Sequence, residues 1–175
     1  MRLNRSRHPR RGVAAVEMAV ITPFLLGLIV GIWEIGQLIQ TQTILNNAAR
    51  NGARLASQGQ VINLVGAYTE IYTNTGTPNV TSTVLQYLQS SGITNLNGVT
   101  VQFQYLSGNT GLTDPYQGSQ NQQFMVSVTM PYSNVKISPL SLVNPQTMGA
   151  QAVWQIMVDT PLTINPNIPL WSPSN

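Results

Sequence analysis

Residues 13–33 read VAAVEMAVITPFLLGLIVGIW, and only Glu17 is charged across these 21 residues. As a helix the run is ~31 Å long at ~1.5 Å per residue, which matches a hydrocarbon core of ~30 Å. Before it stand five arginines, Arg2, Arg5, Arg7, Arg10 and Arg11; after it the first basic residue is Arg50. That asymmetry predicts a single transmembrane helix with its N-terminus in the cytoplasm and the rest of the chain outside it, at the inner (cytoplasmic) membrane.

Charge is scarce elsewhere. The 175 residues hold 7% charged side chains, against about 25% in an ordinary soluble domain. Without the five leader arginines the formal charge of +3 becomes −2. From residue 58 onward the charged residues are Glu70, Asp114, Lys136 and Asp159. One lysine cannot make a phosphate-binding patch, so nucleic acid is excluded as a partner. Cysteine is absent and the sole histidine, His8, lies in the leader. That removes thiolate chemistry, a Ser-His-Asp arrangement and a histidine metal cluster from the outer part of the chain. With no glycine-rich phosphate loop either, the expectation is a non-enzyme with no cofactor, no metal and no small-molecule substrate.

Hydropathy leaves three readings of the apolar run. A cleaved secretory signal fits poorly, because Glu17 interrupts the run and EIGQLIQTQ after Trp33 supplies no small-x-small site. Twin-arginine export from Arg10-Arg11 is a poor fit with the Gly12-Val13-Ala14 that follows. An unprocessed single-pass anchor, whose outer domain binds another envelope component, is the default on hydropathy alone.

Gly12 closes the basic leader, and Glu17 is the fifth residue after it. Glycine lets a backbone lie extended in a narrow protease cleft. A carboxylate in lipid costs of order 3 kcal/mol at a helix centre and less near an interface. Glu17, only ~6 Å into the run, can snorkel to the headgroups. The longer string RGVAAVEMAVITPFLLGLIVGIWEIGQLIQTQTILNNAARNGARLAS, residues 11–57, resembles the TadE-like segment of tight-adherence pilus assembly proteins. The resemblance rests on the RG-x-x-x-VE start, Pro23, Glu34-Ile35-Gly36, and Ala48-Ala49-Arg50-Asn51-Gly52-Ala53-Arg54. Asn51, where the family often has an acidic residue, and Met18, where it often has a larger apolar one, are departures.

The resemblance implies a minor pilin or pseudopilin of a tight-adherence (Flp type IVb) pilus, cut after Gly12 by a prepilin peptidase. Val13 would be the new first residue, and Glu17 would pair with the Val13 amine of a neighbouring subunit. Implied partners are the membrane, the peptidase, and other pilins and pilus assembly proteins, with incorporation into the pilus as a further expectation. Pro23, which orphans the Ala19 carbonyl, and the Gly27-x-x-x-Gly31 pair, which permits close helix approach, are candidate assembly residues.

Apolar periodicity continues past the membrane through Ile35, Leu38, Leu45, Ala48, Ala49, Gly52, Leu55 and Ala56. This predicts one helix over 13–57, ~68 Å long, whose second half packs its narrow stripe on a domain. Arg50 and Arg54 share a face, read as solvated or as favourable charge near a helix C-terminus, ahead of a partner contact. Residues 58–92 read as mainly helical, with one segment at VINLVGAYTEIY. A second, VTSTVLQYLQSSG, is capped by Asn79 or Thr81 and stops at Gly92. Alternation predicts strands at Val99–Tyr105, Phe124–Met130 and Met148–Met157, forming an antiparallel sheet with one covered face. Ser107–Gln123 reads as a long loop. The tail, with Pro161, Pro166, Pro169 and Pro173, reads as extended, with Leu162, Ile164, Ile168 and Trp171 able to pin it.

The expected fold is therefore α+β and type IV pilin-like. A leader over 1–12 precedes the long helix over 13–57, and an extracytoplasmic domain over 58–175 carries a small antiparallel sheet.

Overall fold

The computed structural model describes residues 11–62, 66–135 and 145–157. The expectations for residues 1–10 of the leader and for the proline-rich tail lie outside the described residues. One helix, α1, runs unbroken over Arg11–Gln58 and contains Pro23. It ends where Gly59 takes a left-handed φ of 62° and donates its N–H to the Ala56 carbonyl at 3.1 Å, a glycine-dependent stop.

Two strands follow, β1 (Gln60–Ile62) and β2 (Tyr68–Glu70), paired antiparallel with Gln60 opposite Glu70. This corrects the helical reading of VINLVGAYTEIY. Its apolar spacing suits either period over so short a run, and left-handed Gly59 and Gly66 precede the two strands. The core residue of the segment, Ile71, donates its N–H back to the Gly59 carbonyl at 2.9 Å.

Helix α2 (Val80–Ser90) forms where the sequence places it. The Asn79 side chain caps it by accepting from the Ser82 N–H at 2.6 Å, which satisfies one of the first-turn donors. At its other end Gly92 N–H bonds the Gln89 carbonyl and Ile93 N–H the Leu88 carbonyl, both at 3.1 Å. Gly92 has φ 94°, and Leu88 and Ile93 are both buried. That is a Schellman closure with its apolar contact.

The main sheet has the order β3–β4–β5, from β3 (Thr100–Tyr105), β4 (Gln123–Pro131) and β5 (Thr147–Gln155), all antiparallel. Val126 stands opposite Phe103 on one side and Ala152 on the other. The register puts Val101, Phe103, Tyr105, Phe124, Val126, Val128, Met130, Met148, Ala150 and Ala152 on one face. That face is covered by α1, lying over β4 and β5, with α2 beside it. The opposite face carries Gln102, Gln104, Ser127, Thr129 and Gln151, and Thr100 and Thr129 share a hydroxyl hydrogen bond of 2.7 Å across it. The fold is a two-layer α+β domain built on the second half of a long apolar helix.

The segment 107–123 is more ordered than a loop reading implies. A 3-10 turn at Pro115–Gln117 sits inside it, Pro115 and Gln122 are buried, and Tyr105 donates to the Asp114 and Pro115 carbonyls at 3.0 Å each. Burial, the nearby Asp114 carboxylate and a counteracting backbone hydrogen bond at Gly118 leave the Tyr105 hydroxyl pKa pushed up to about 12.

Candidate assembly surface

The long helix divides into a bare half and a packed half. Val13, Val16, Met18, Val20, Ile21, Phe24, Leu25, Leu26, Leu28, Ile29, Ile32 and Trp33 are all exposed. An 18-residue window here has mean hydropathy 2.3 with none of it buried in the protein, so by length and composition this helix can cross a membrane. An uncovered apolar column of this size needs lipid or other helices around it.

Within the bare half, Gly12 and Glu17 are exposed on the first turns. Nothing lies within 4 Å of a Cβ built on Gly12 or Gly27, while Gly31 is half-buried. Pro23 is carried inside the helix without ending it, and Thr22 Oγ1 donates to the Met18 carbonyl at 2.6 Å just before it. The structure thus presents Gly12, Val13, Glu17, Pro23 and Gly27 outward along the bare column and brings none of them against the domain.

At the exit the surroundings change. Glu34 is 4% exposed, whereas its neighbour Ile35 is 51% exposed. Ile35 therefore leaves the apolar stripe to which its spacing assigns it. Packing is complete by Leu45. Leu45, Ala48, Ala49, Ala53 and Ala56 are fully buried, Gly52 is buried, and Leu55 is half-buried against the core. Ala53 belongs to this face although the periodic reading missed it, because a stripe of small residues is wider than its apolar members suggest. The small side chains let α1 lie close on its neighbours: a Cβ on Gly52 would meet side-chain atoms of Val80, Val84 and Val126. Gln42 reaches from the helix to donate to the Gly149 carbonyl of β5 at 2.8 Å.

Two polar surfaces flank the packed half. A cleft between α1 and β5 is lined by Arg50, Asn51, Arg54, Gln151 and Trp154. Around the β3 side, Glu70 Oε2 accepts from the Tyr72 hydroxyl at 2.8 Å, and Tyr72 and Tyr116 lie with ring centroids 4.9 Å apart. Asp114 Oδ1 accepts from the Thr73 N–H at 2.8 Å. The hydrogen bond to Glu70, then burial and the nearby carboxylates, raise the Tyr72 pKa above its ordinary value. Among the described residues no three His, Cys, Asp or Glu come together to hold a metal.

An exposed apolar helix, long and apolar enough to cross a membrane, that then completes a small sheet domain gives an α+β protein with a candidate membrane anchor. A family model described as TadE-like protein matches residues 12–54, about a quarter of the chain, and it covers the bare half and most of the packed half. That segment is TadE-like, as its residue pattern implies. No curated protein and no solved structure matches the chain.

Proposed function

We propose that this chain is a minor pilin or pseudopilin used to assemble a tight-adherence pilus. The observation that carries the reading is the TadE-like match lying on a helix whose first half is bare and whose second half is the spine of the domain. A helix of that kind serves two states: it spans lipid before assembly, and it packs among like helices afterwards without refolding the domain. The arginine leader supports a cytoplasmic N-terminus and an extracytoplasmic domain, with the chain in the inner membrane.

Processing belongs to the same proposal. Gly12 has open space around it on the first turns of the helix, which suits entry into a peptidase, and cutting there exposes the Val13 amine. Glu17 has no apolar reason to stand in this run. Paired with a neighbour's Val13 amine it would set the register between helices, since a buried charge is strongly destabilising when its partner is lacking. The role is non-catalytic, in keeping with the family in general.

The test is removal of the protein from its native host, followed by counting of surface pili. Loss of pili, restored by the full chain, is the expected result. Normal piliation without the protein would overturn the assembly role.

A further inference from the structure

Beyond Glu34 the described residues carry only four charged side chains: Arg50, Arg54, Glu70 and Asp114. Among the described residues no ion pair joins them. Their signs are segregated in space. Both arginines are exposed on α1 beside β5, one edge of the main sheet. Asp114 stands beyond the other edge, β3, at the far end of a cleft that runs from Gln102 and Gln104 across the open face of the sheet to Gln151 of β5. Glu70 joins it through Tyr72 and Tyr116, whose rings lie between the two carboxylates' segments.

We propose that the Arg50–Arg54 cleft at the β5 edge docks the Glu70–Tyr72–Tyr116–Asp114 surface of a second copy of this chain. The inference deepens the assembly reading and rests on it. Guanidinium groups bind carboxylates through paired hydrogen bonds and stack on aromatic faces. The acidic surface offers both partners within one patch, and Trp154, 37% exposed at the lip of the basic cleft, adds an aromatic anchor. Among the described residues of a domain so poor in charge, two cations on one side and two anions on the other form no ion pair within the chain and are complementary between copies. Because the two surfaces differ, the contact is heterologous and runs head to tail, the geometry that continues into an open array. Such contacts between outer domains would add to, and orient, the packing of the bare helices.

The absence of cysteine gives a clean background for the test. Full-length chains carrying Val153→Cys in the basic cleft and Thr75→Cys in the acidic one keep all four charges. Mixed in detergent or in vesicles and treated with a short bis-maleimide, they should give a crosslinked dimer that neither gives alone. Reversal of Arg50 and Arg54 to Glu, or of Glu70 to Lys, should reduce the yield roughly tenfold, as expected for loss of about 1.4 kcal/mol. Mixing the two reversed chains should restore it, and restoration excludes misfolding as the cause of the loss. The proposal is overturned if the mixed pair crosslinks no better than a Gln89→Cys control on α2. It is equally overturned if reversal leaves the yield unchanged, or if the crosslinked partner is another protein alone. Failure here with pili intact and dependent on the protein would remove this docking and leave the assembly role standing. Pili that persist without the protein would remove the role itself.

Discussion

Gly52 of α1 lies so close to Val84 of α2 that a Cβ placed on the glycine would come within 2.6 Å of the valine's Cγ2. Valine is stiff at χ1, so the contact cannot be relieved by swinging a flexible chain end. Alanine gains about 1 kcal/mol over glycine in a helix interior, yet overpacking a tight contact costs about 1–3 kcal/mol. Gly52→Ala is therefore expected to lower the melting temperature. Val84→Ala alone should lower it too, by leaving a cavity. Together the two should be less harmful than the sum of the single effects, a favourable coupling seen in a double-mutant cycle. Additive effects would mean that the helices separate freely there.

The sheet needs the helix. Leu45, Ala48, Ala49, Ala53 and Ala56 are all fully buried against it, and a domain of this size is stable only with its covered face complete. A soluble chain starting near Ile35 is expected to melt cooperatively. One starting at Gln58 should aggregate or melt at a clearly lower temperature. Equal melting temperatures would show the helix to be only a tether.

Much of this was legible beforehand, and the reasons are physical. The alternation in β3 and β4 groups on one face the same residues that the register turns toward the helices, because one covered face imposes period two. Asn79 or Thr81 marks the start of α2, since either side chain can accept from a first-turn N–H, and the structure uses Asn79. The segment at Val61–Tyr72 misled because its apolar residues fit both periods, and only Gly59 and Gly66 hinted at strands. The order within 107–123 is hidden because it depends on Tyr105 reaching two carbonyls nine and ten residues on, which no local pattern encodes. Glu34 belongs to the TadE-like pattern in the sequence, and its burial beside an exposed Ile35 is not what apolar spacing predicts. The grouping of Glu70 with Asp114 around two tyrosines was likewise invisible until the strands were paired.

Tyr105 supplies a pH test. Its hydroxyl pKa is raised to about 12, above the ordinary value of about 10. A raised folded-state pKa means that this stabilisation is full below about pH 10 and is lost as pH climbs through about 12, up to about 2–3 kcal/mol. Stability of the soluble chain starting near Ile35 should therefore fall steeply across that window. Tyr105→Phe should cost about 1 kcal/mol at neutral pH through lost hydrogen bonds and flatten the alkaline fall. Urea melts at several pH values check this, and an unchanged alkaline slope would contradict it.

Glu17→Gln separates insertion from assembly. It removes a charge at nearly constant size, so entry into the membrane should become, if anything, easier. Abundance in the membrane fraction is expected to hold while surface pili fall sharply. Normal piliation would mean that Glu17 only snorkels.

The chemical start of the mature chain is read directly by intact-mass and N-terminal peptide mass spectrometry of protein from the native host. Cleavage after Gly12, giving a chain that begins at Val13, is the predicted result. A chain still beginning at Met1 or Arg2 would contradict it.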